Sequence, residues 1–202
     1  MVSPPLLKQH ALEHAAEADF PTEFGHFRIH GFLAGGEELV AAVMGDIVHD
    51  KSPLLLRIHS QCLTGDVFHS LRCDCREQFE LAMEAIAKAG RGMLIYEPKE
   101  GRGIGLINKL RAYELQDQGH DTVEANVALG FDADLRDYEW PARILRYFGI
   151  EQVRLMSNNP KKIEAVEKEG IRVAERVPIV AEVRDSREAY LRTKKDKMGH
   201  LF

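Results

Sequence analysis

QVRLMSNNPKKIEAVEKEGIRVAERV, residues 152–177, reads as a strand over Gln152 to Met156, a helix over Pro160 to Lys168 stopped by Gly170, and a strand over Ile171 to Val177. Proline suits the first helical position, where a backbone N–H has no helical partner, and Asn159 before it is a natural cap. Strand, helix and strand in this order form a βαβ unit.

Working outward, a helix is expected from Asp137 to Phe148, with Pro141 in its first turn and Gly149 after it. Another is expected from Ile104 to Gln118, with Leu106, Leu110 and Tyr113 on one face and Gly119 as its stop. Gly92 to Tyr96 reads as a short strand, and Cys75 to Ala89 as a helix carrying Phe79, Met83 and Ile86 at +4 and +3 spacing. Three β-like runs precede these, Gly25 to Phe32, Leu39 to Val48 and Pro53 to His59, separated by Gly35-Gly36 and Asp50-Lys51-Ser52. The expected fold class is α/β: a layered domain with a mixed sheet, a strand-rich N-terminal half and the βαβ unit near the C-terminus. Residues 1–20 lack periodicity and are expected to be an arm ahead of one catalytic domain over 21–202; the tail after Val183 is charged and without period.

The 202 residues carry a formal charge of −5 and are 45% hydrophobic, from which the expectation is one soluble domain with a single substantial core, not two fused full-size enzymes. No stretch approaches the roughly 18 apolar residues of a membrane span, and the N-terminus is too polar for a signal peptide, so the expectation is a cytoplasmic protein with no membrane partner. Net acidity disfavours non-specific nucleic-acid binding but leaves room for a local basic cluster that takes a phosphorylated small molecule.

All three cysteines, Cys62, Cys73 and Cys75, fall in one 14-residue window. Reduced thiols at C-x10-C-x-C spacing, without an obvious fourth ligand, suggest a tetrahedral Zn2+ whose last position is open to water. Three buried small hydrophobes are the alternative, and His59 or His69 as a fourth ligand would close the site into a structural one. Glu100-Gly101-Arg102-Gly103-Ile104-Gly105 lies between a strand and a helix, where backbone N–H groups bind phosphate, with Lys99, Arg102, Lys109 and Arg111 supplying charge; a plain turn is the other reading. Ser157 to Lys162 is a second candidate anion site, since lysines in a first helical turn oppose the dipole unless an anion compensates; solvated charge is the other and commoner reading. In Asp132 to Tyr138, an aspartate suits a general base and Arg136 a phosphate clamp, while Asp137 suits a helix cap.

Taken in order, SQCLTGDVFHSLRCDC, EGRGIGLINKLRAYELQDQGHDTVEAN, LGFDADLRDY, SNNPKK, ERVPIV and KMGHL closely resemble GTP cyclohydrolase II over residues 20–202. The resemblance implies opening of the GTP imidazole ring with loss of C8 as formate and release of pyrophosphate, the first step of riboflavin biosynthesis. It implies a catalytic zinc on Cys62, Cys73 and Cys75, with Mg2+ accompanying the triphosphate. GTP-binding positions would be Arg57, His59, Ser60, Gln61, Gln78, Glu100, Gly101, Arg102, Thr122, Ser157 and Lys162, with Glu100 reading the guanine donor edge. Asp134 matches a proton acceptor, Arg136 a nucleophile toward the α-phosphorus or a charge stabiliser there, and Tyr113 a tyrosine near the opening ring. A stand-alone homodimer is implied.

The chain departs from the family pattern at Gln61, where glutamate is common, at His69 and Arg76, where glycine is common, and at Pro98-Lys99, where a basic-Gln pair is common. These departures leave one alternative to the full reaction, a paralogue that retains the formyl group or takes another purine nucleotide. A fourth ligand from His59 or His69 would leave another, a non-catalytic GTP-binding module with structural zinc.

Overall fold

The computed structural model describes residues 11–132, 136 and 138–181. Its strands are β1 (Leu12–Thr22), β2 (Gly25–Ala34), β3 (Glu37–Met44), β4 (Leu54–Ser60), β5 (Gly92–Glu97), β6 (Gln152–Met156) and β7 (Arg172–Val177). They form one mixed sheet in the order β1-β2-β3-β5-β4-β6-β7. The first three strands and β5 pair antiparallel, while β4 pairs parallel with both β5 and β6, and β6 with β7. The helices are α1 (Leu63–Asp66), α2 (Cys75–Ala89), α3 (Leu106–Asp117), α4 (Thr122–Ala128), α5 (Glu139–Tyr147) and α6 (Pro160–Lys168), with a 3-10 turn over Glu100–Gly103. The mixed α/β sheet and the C-terminal βαβ unit are those expected from the sequence.

β4 explains how the sheet is covered. It is buried from Leu54 to His59, as a strand between parallel neighbours under helices on both faces should be. Because side chains alternate, Leu54, Leu56 and Ile58 pack on one face with Ile144 and Leu145 of α5 and Val166 of α6. Leu55 packs on the other with Ala82, Met83 and Ile86 of α2. Arg57 and His59 share that second face, so two polar side chains are buried beneath α2.

Several expectations need correction. The sequence predicts an arm over residues 1–20, yet Leu12–Thr22 is a strand paired with β2; most of its side chains are exposed, which removes the apolar alternation that marks a strand. The run expected to reach Val48 stops at Met44, where Gly45 adopts a left-handed φ of 73°. α3 begins at Leu106 and ends at Asp117, within the expected Ile104 to Gln118, and the face that carries Leu106, Leu110 and Tyr113 is not a core face: Leu110 is exposed, and Ala112 is the buried residue of the helix. α1 and α4 are not foreseen at all, each being too short to show a helical period.

The chain leaves β4 for β5 on one side, and β6 lies on the other. The carboxyl ends of these parallel strands therefore diverge around a crevice, the place where open α/β sheets bind ligands.

Candidate active site

Three thiols meet just past the end of β4. Cys62 precedes α1, Cys73 lies in the loop that follows, and Cys75 opens α2. Cys62 Sγ and Cys73 Sγ are 3.6 Å apart, and the three sulfurs all lie within 4.8 Å of one another. A tetrahedral ion with bonds of about 2.3 Å holds its sulfurs about 3.8 Å apart, so the trio fits zinc. Gly65 permits the approach: a Cβ there would stand 2.8 Å from Cys73 Sγ and 3.1 Å from Cys62 Sγ. Hydrogen bonds from Cys73 and Cys75 hold the Cys62 thiol far below its usual range, and the Lys109 ammonium, 3.1 Å from its sulfur, acts in the same direction.

Among the described residues no fourth histidine, cysteine or carboxylate joins this trio. His59 is occupied elsewhere: its Nε2 faces both carboxylate oxygens of Asp66 at 3.1 and 3.2 Å, and its ring stacks on Tyr96. Burial lowers the His59 pKa, against the opposing pull of Asp66. His69 Nε2 lies 2.9 Å from the Arg76 guanidinium. Among the described residues the donor set is therefore three thiols, a set consistent with a zinc site.

Asp66 is the residue sequence reasoning missed. Besides His59 it accepts the Cys62 N–H at 2.9 Å and the Tyr96 hydroxyl at 2.9 Å, so one carboxylate fixes the turn that presents the first thiol. Its signal was its place four residues beyond Cys62, at the end of a helical turn. Lys109, foreseen only as nearby charge, bridges Cys62, Thr64 Oγ1 at 2.8 Å and Glu100 Oε1 at 2.7 Å. Glu100 also accepts the Leu63 N–H at 2.6 Å and the Gly101 N–H at 3.0 Å, which engages both carboxylate oxygens inside the protein.

The thiols form one end of a cleft of about 1110 Å³, measured with its open mouth. Arg57, His59, Ser60, Gln61, Gln78, Glu100, Gly101, Arg102, Tyr113, Arg136, Ser157 and Lys162 all line it with the cysteines, so segments scattered along the sequence converge here. Thr122 is the first residue of α4, and Asp134 and Asp137 lie outside the described residues. Arg72, Ile104, Lys109, Ala112, Gln116 and Asn126 also line the cleft, which shows what α3 covers in place of the core.

The floor is held by buried polar chains. Arg57 donates to the Met156 carbonyl at 2.9 Å and to Gln78 Oε1 at 2.6 Å, and Gln78 donates onward to Asp74 at 2.6 Å. Burial pushes the Arg57 pKa down to about 10. Lys162 is buried and donates to the Ile58 carbonyl at 2.7 Å, so its charge is turned toward the end of β4. Ser60 donates to the buried Glu97 at 2.6 Å and lies 3.4 Å from Arg136, while burial raises the Glu97 pKa. Arg102 adopts a left-handed φ of 64°, a strained conformation for a residue with a side chain, at the rim of the cleft. A chain of net charge −5 thus gathers Arg57, Arg72, Lys99, Arg102, Lys109, Arg136 and Lys162 in one cavity, a local field suited to a polyanion.

Among known proteins, the sequence model of the GTP cyclohydrolase II family matches residues 13–178. The GTP cyclohydrolase-2 of Histophilus somni (strain 2336) is 58% identical over 194 residues, covering 95% of this chain and 89% of that protein. Riboflavin biosynthesis protein RibBA of Bacillus subtilis (strain 168) is 51% identical over 193 residues, covering 95% of this chain and 48% of that protein. The chain spans about half the length of the RibBA relatives it matches, 49% in the case of Aquifex aeolicus. A solved two-domain 3,4-dihydroxy-2-butanone 4-phosphate synthase from A. baumannii aligns with 85% of this chain and 40% of its own at 18% identity, with a TM-score of 0.46, a likeness too distant to inform the site.

Proposed function

Because the chain belongs to the GTP cyclohydrolase II family, we propose that it hydrolyses GTP to 2,5-diamino-6-ribosylamino-4(3H)-pyrimidinone 5′-phosphate, formate and pyrophosphate, the entry reaction of riboflavin biosynthesis. The observation that carries this reading is the convergence of three thiols and a set of cations in one cleft at the carboxyl ends of β4, β5 and β6. Zinc held by Cys62, Cys73 and Cys75 would supply Lewis acidity toward C8 of the guanine.

The protein's own groups divide the remaining work. Asp66 and Lys109 hold the Cys62 turn and balance thiolate charge. Tyr113, whose hydroxyl is 3.3 Å from Thr64 Oγ1 and whose ring lies beneath Arg72, borders the space for the opening ring. Arg57, Arg102, Arg136 and Lys162 neutralise the triphosphate together with Mg2+. Asp134 accepts the proton released in ring opening. Glu100 reads the guanine donor edge only by exchanging its bonds with Lys109 and Leu63 for bonds to the base. The enzyme works as a homodimer in the cytoplasm.

Arg136 acts as a charge stabiliser while water attacks the α-phosphorus, because a protonated guanidinium has no free lone pair and is a poor nucleophile. Rapid acid quench with α-labelled GTP should leave no label on the protein; labelled protein would restore the covalent route. The decisive experiment is an incubation of zinc-analysed protein with GTP and Mg2+, counting formate, pyrophosphate and GTP consumed. Equal amounts of all three are expected. Ring-opened nucleotide without formate would indicate the formyl-retaining paralogue, and GTP bound without products would indicate a binding module.

A further inference from the structure

A second constellation of metal-binding side chains lies outside the cleft, on the face of the sheet that packs against α5. The register of β1 on β2 shifts between His14 and Ala16, so His14 pairs with Phe32 while Glu17 pairs with His30. Directly opposed residues share a face, as do positions 30 and 32 of one strand. The bulge therefore brings His14 and Glu17, three residues apart and otherwise on opposite faces, onto the same face as His30. His30 Nδ1 is 3.2 Å from His14 Nε2 and 3.4 Å from Glu17 Oε2, and the three ligand atoms lie within 4.8 Å of one another.

We propose that His14, Glu17 and His30 form a second divalent transition-metal site, of the kind taken by Zn2+ or Co2+. Two imidazole nitrogens and one carboxylate are a donor set these ions accept, and a tetrahedral ion with bonds of about 2.05 Å sets its donors about 3.3 Å apart. The groups are oriented beforehand. Tyr147 at the end of α5 hydrogen-bonds His14 Nδ1 at 3.1 Å, leaving Nε2 toward the site, and Arg28 engages the other oxygen of Glu17 at 2.6 Å, leaving Oε2 to serve as a single ligand. The His14 ring is further packed by Phe32 at 5.1 Å and by Tyr147 at 5.2 Å between centroids. The bound ion would tie the exposed strand β1 to β2 and, through Tyr147, to α5. This site is independent of the GTP cyclohydrolase reading.

The test adds Co2+ to untagged, zinc-loaded protein and follows visible absorption together with metal content per chain. A second equivalent is expected, giving d–d bands without the near-ultraviolet thiolate charge transfer that exchange into the cysteine site would produce. His14→Ala and Glu17→Gln should each weaken this equivalent by more than about 100-fold, and Tyr147→Phe, which removes only an orienting partner, by about 10- to 100-fold. Metal held by the three cysteines should be unchanged in all three variants. Absence of a second equivalent, or one that survives both His14→Ala and Glu17→Gln, would overturn the proposal.

Discussion

Substituting Gly65 by Ala is expected to weaken zinc binding by about 10- to 100-fold while leaving the fold intact. The added methyl would stand 2.8 Å from Cys73 Sγ, 3.1 Å from Cys62 Sγ and 3.2 Å from Cys75 Cβ. Non-bonded carbons settle at roughly 3.5–4.0 Å from their neighbours, so about 0.7 Å must be recovered by moving sulfur or backbone. The cysteines have little room to yield together, because the Cys62 N–H is bonded to Asp66 at 2.9 Å and Cys75 is fixed in the first turn of α2. Overpacking of this kind typically costs about 1–3 kcal/mol, and each 1.4 kcal/mol is about tenfold in affinity. Without metal, a thiol can rotate away from the methyl, so most of the cost should fall on the bound state. Zinc affinity measured by chelator competition, with thermal unfolding of the metal-free protein as control, separates the two. In an open helical position the same change stabilises by about 0.5–1 kcal/mol. A folded Gly65→Ala protein with wild-type zinc affinity would refute the convergence of the three sulfurs.

Lys109→Met should lower zinc affinity by about 10- to 100-fold, because it removes the ammonium beside the Cys62 thiolate, and competition with a chromophoric chelator would show it. Asp66→Asn replaces a carboxylate that receives the Cys62 amide, the Tyr96 hydroxyl and His59, and should destabilise the protein by about 1–3 kcal/mol in denaturant unfolding, with Tyr96→Phe milder. His59 has its folded pKa depressed below 6.5 by burial, so its contribution to stability is complete above pH 6.5 and is lost as pH falls from there through the folded pKa. The wild type should therefore lose stability across that window more steeply than His59→Gln; parallel slopes for the two would show that His59 does not titrate with unfolding.

Much of the fold was legible because local signals and tertiary packing agreed. Cys75–Ala89 and Pro160–Lys168 have the bounds their apolar spacing and following glycines dictate, and Gln152–Met156 is equally clear. β1 was not legible because both its faces are largely exposed, leaving Leu12–Thr22 without alternation. The stripe of Leu106, Leu110 and Tyr113 does not mark the inner side of α3, because the helix borders a polar cavity: Lys109, Ala112, Tyr113 and Gln116 line it while Leu110 is exposed. The three cysteines could be suspected from their proximity, but spacing could not tell ligands from buried hydrophobes; the meeting of all three sulfurs, two of them 3.6 Å apart, is consistent with ligands of one ion. Nor could it tell a fourth ligand from a neighbour, since His59 is set apart by Asp66, a contact made through a turn no sequence period announces.

The alternation along β4 also separates what can be changed from what cannot. Leu54, Leu56 and Ile58 look toward α5 and α6, whereas Arg57 and His59 look under α2 toward the cleft. An engineer seeking a hardier protein can therefore repack the first set with other branched apolar residues, as interiors accept when volume is kept. The neighbouring positions on the same seven-residue strand stay out of bounds. Sequence drift in this strand should accordingly beat with a period of two, free on one beat and silent on the next.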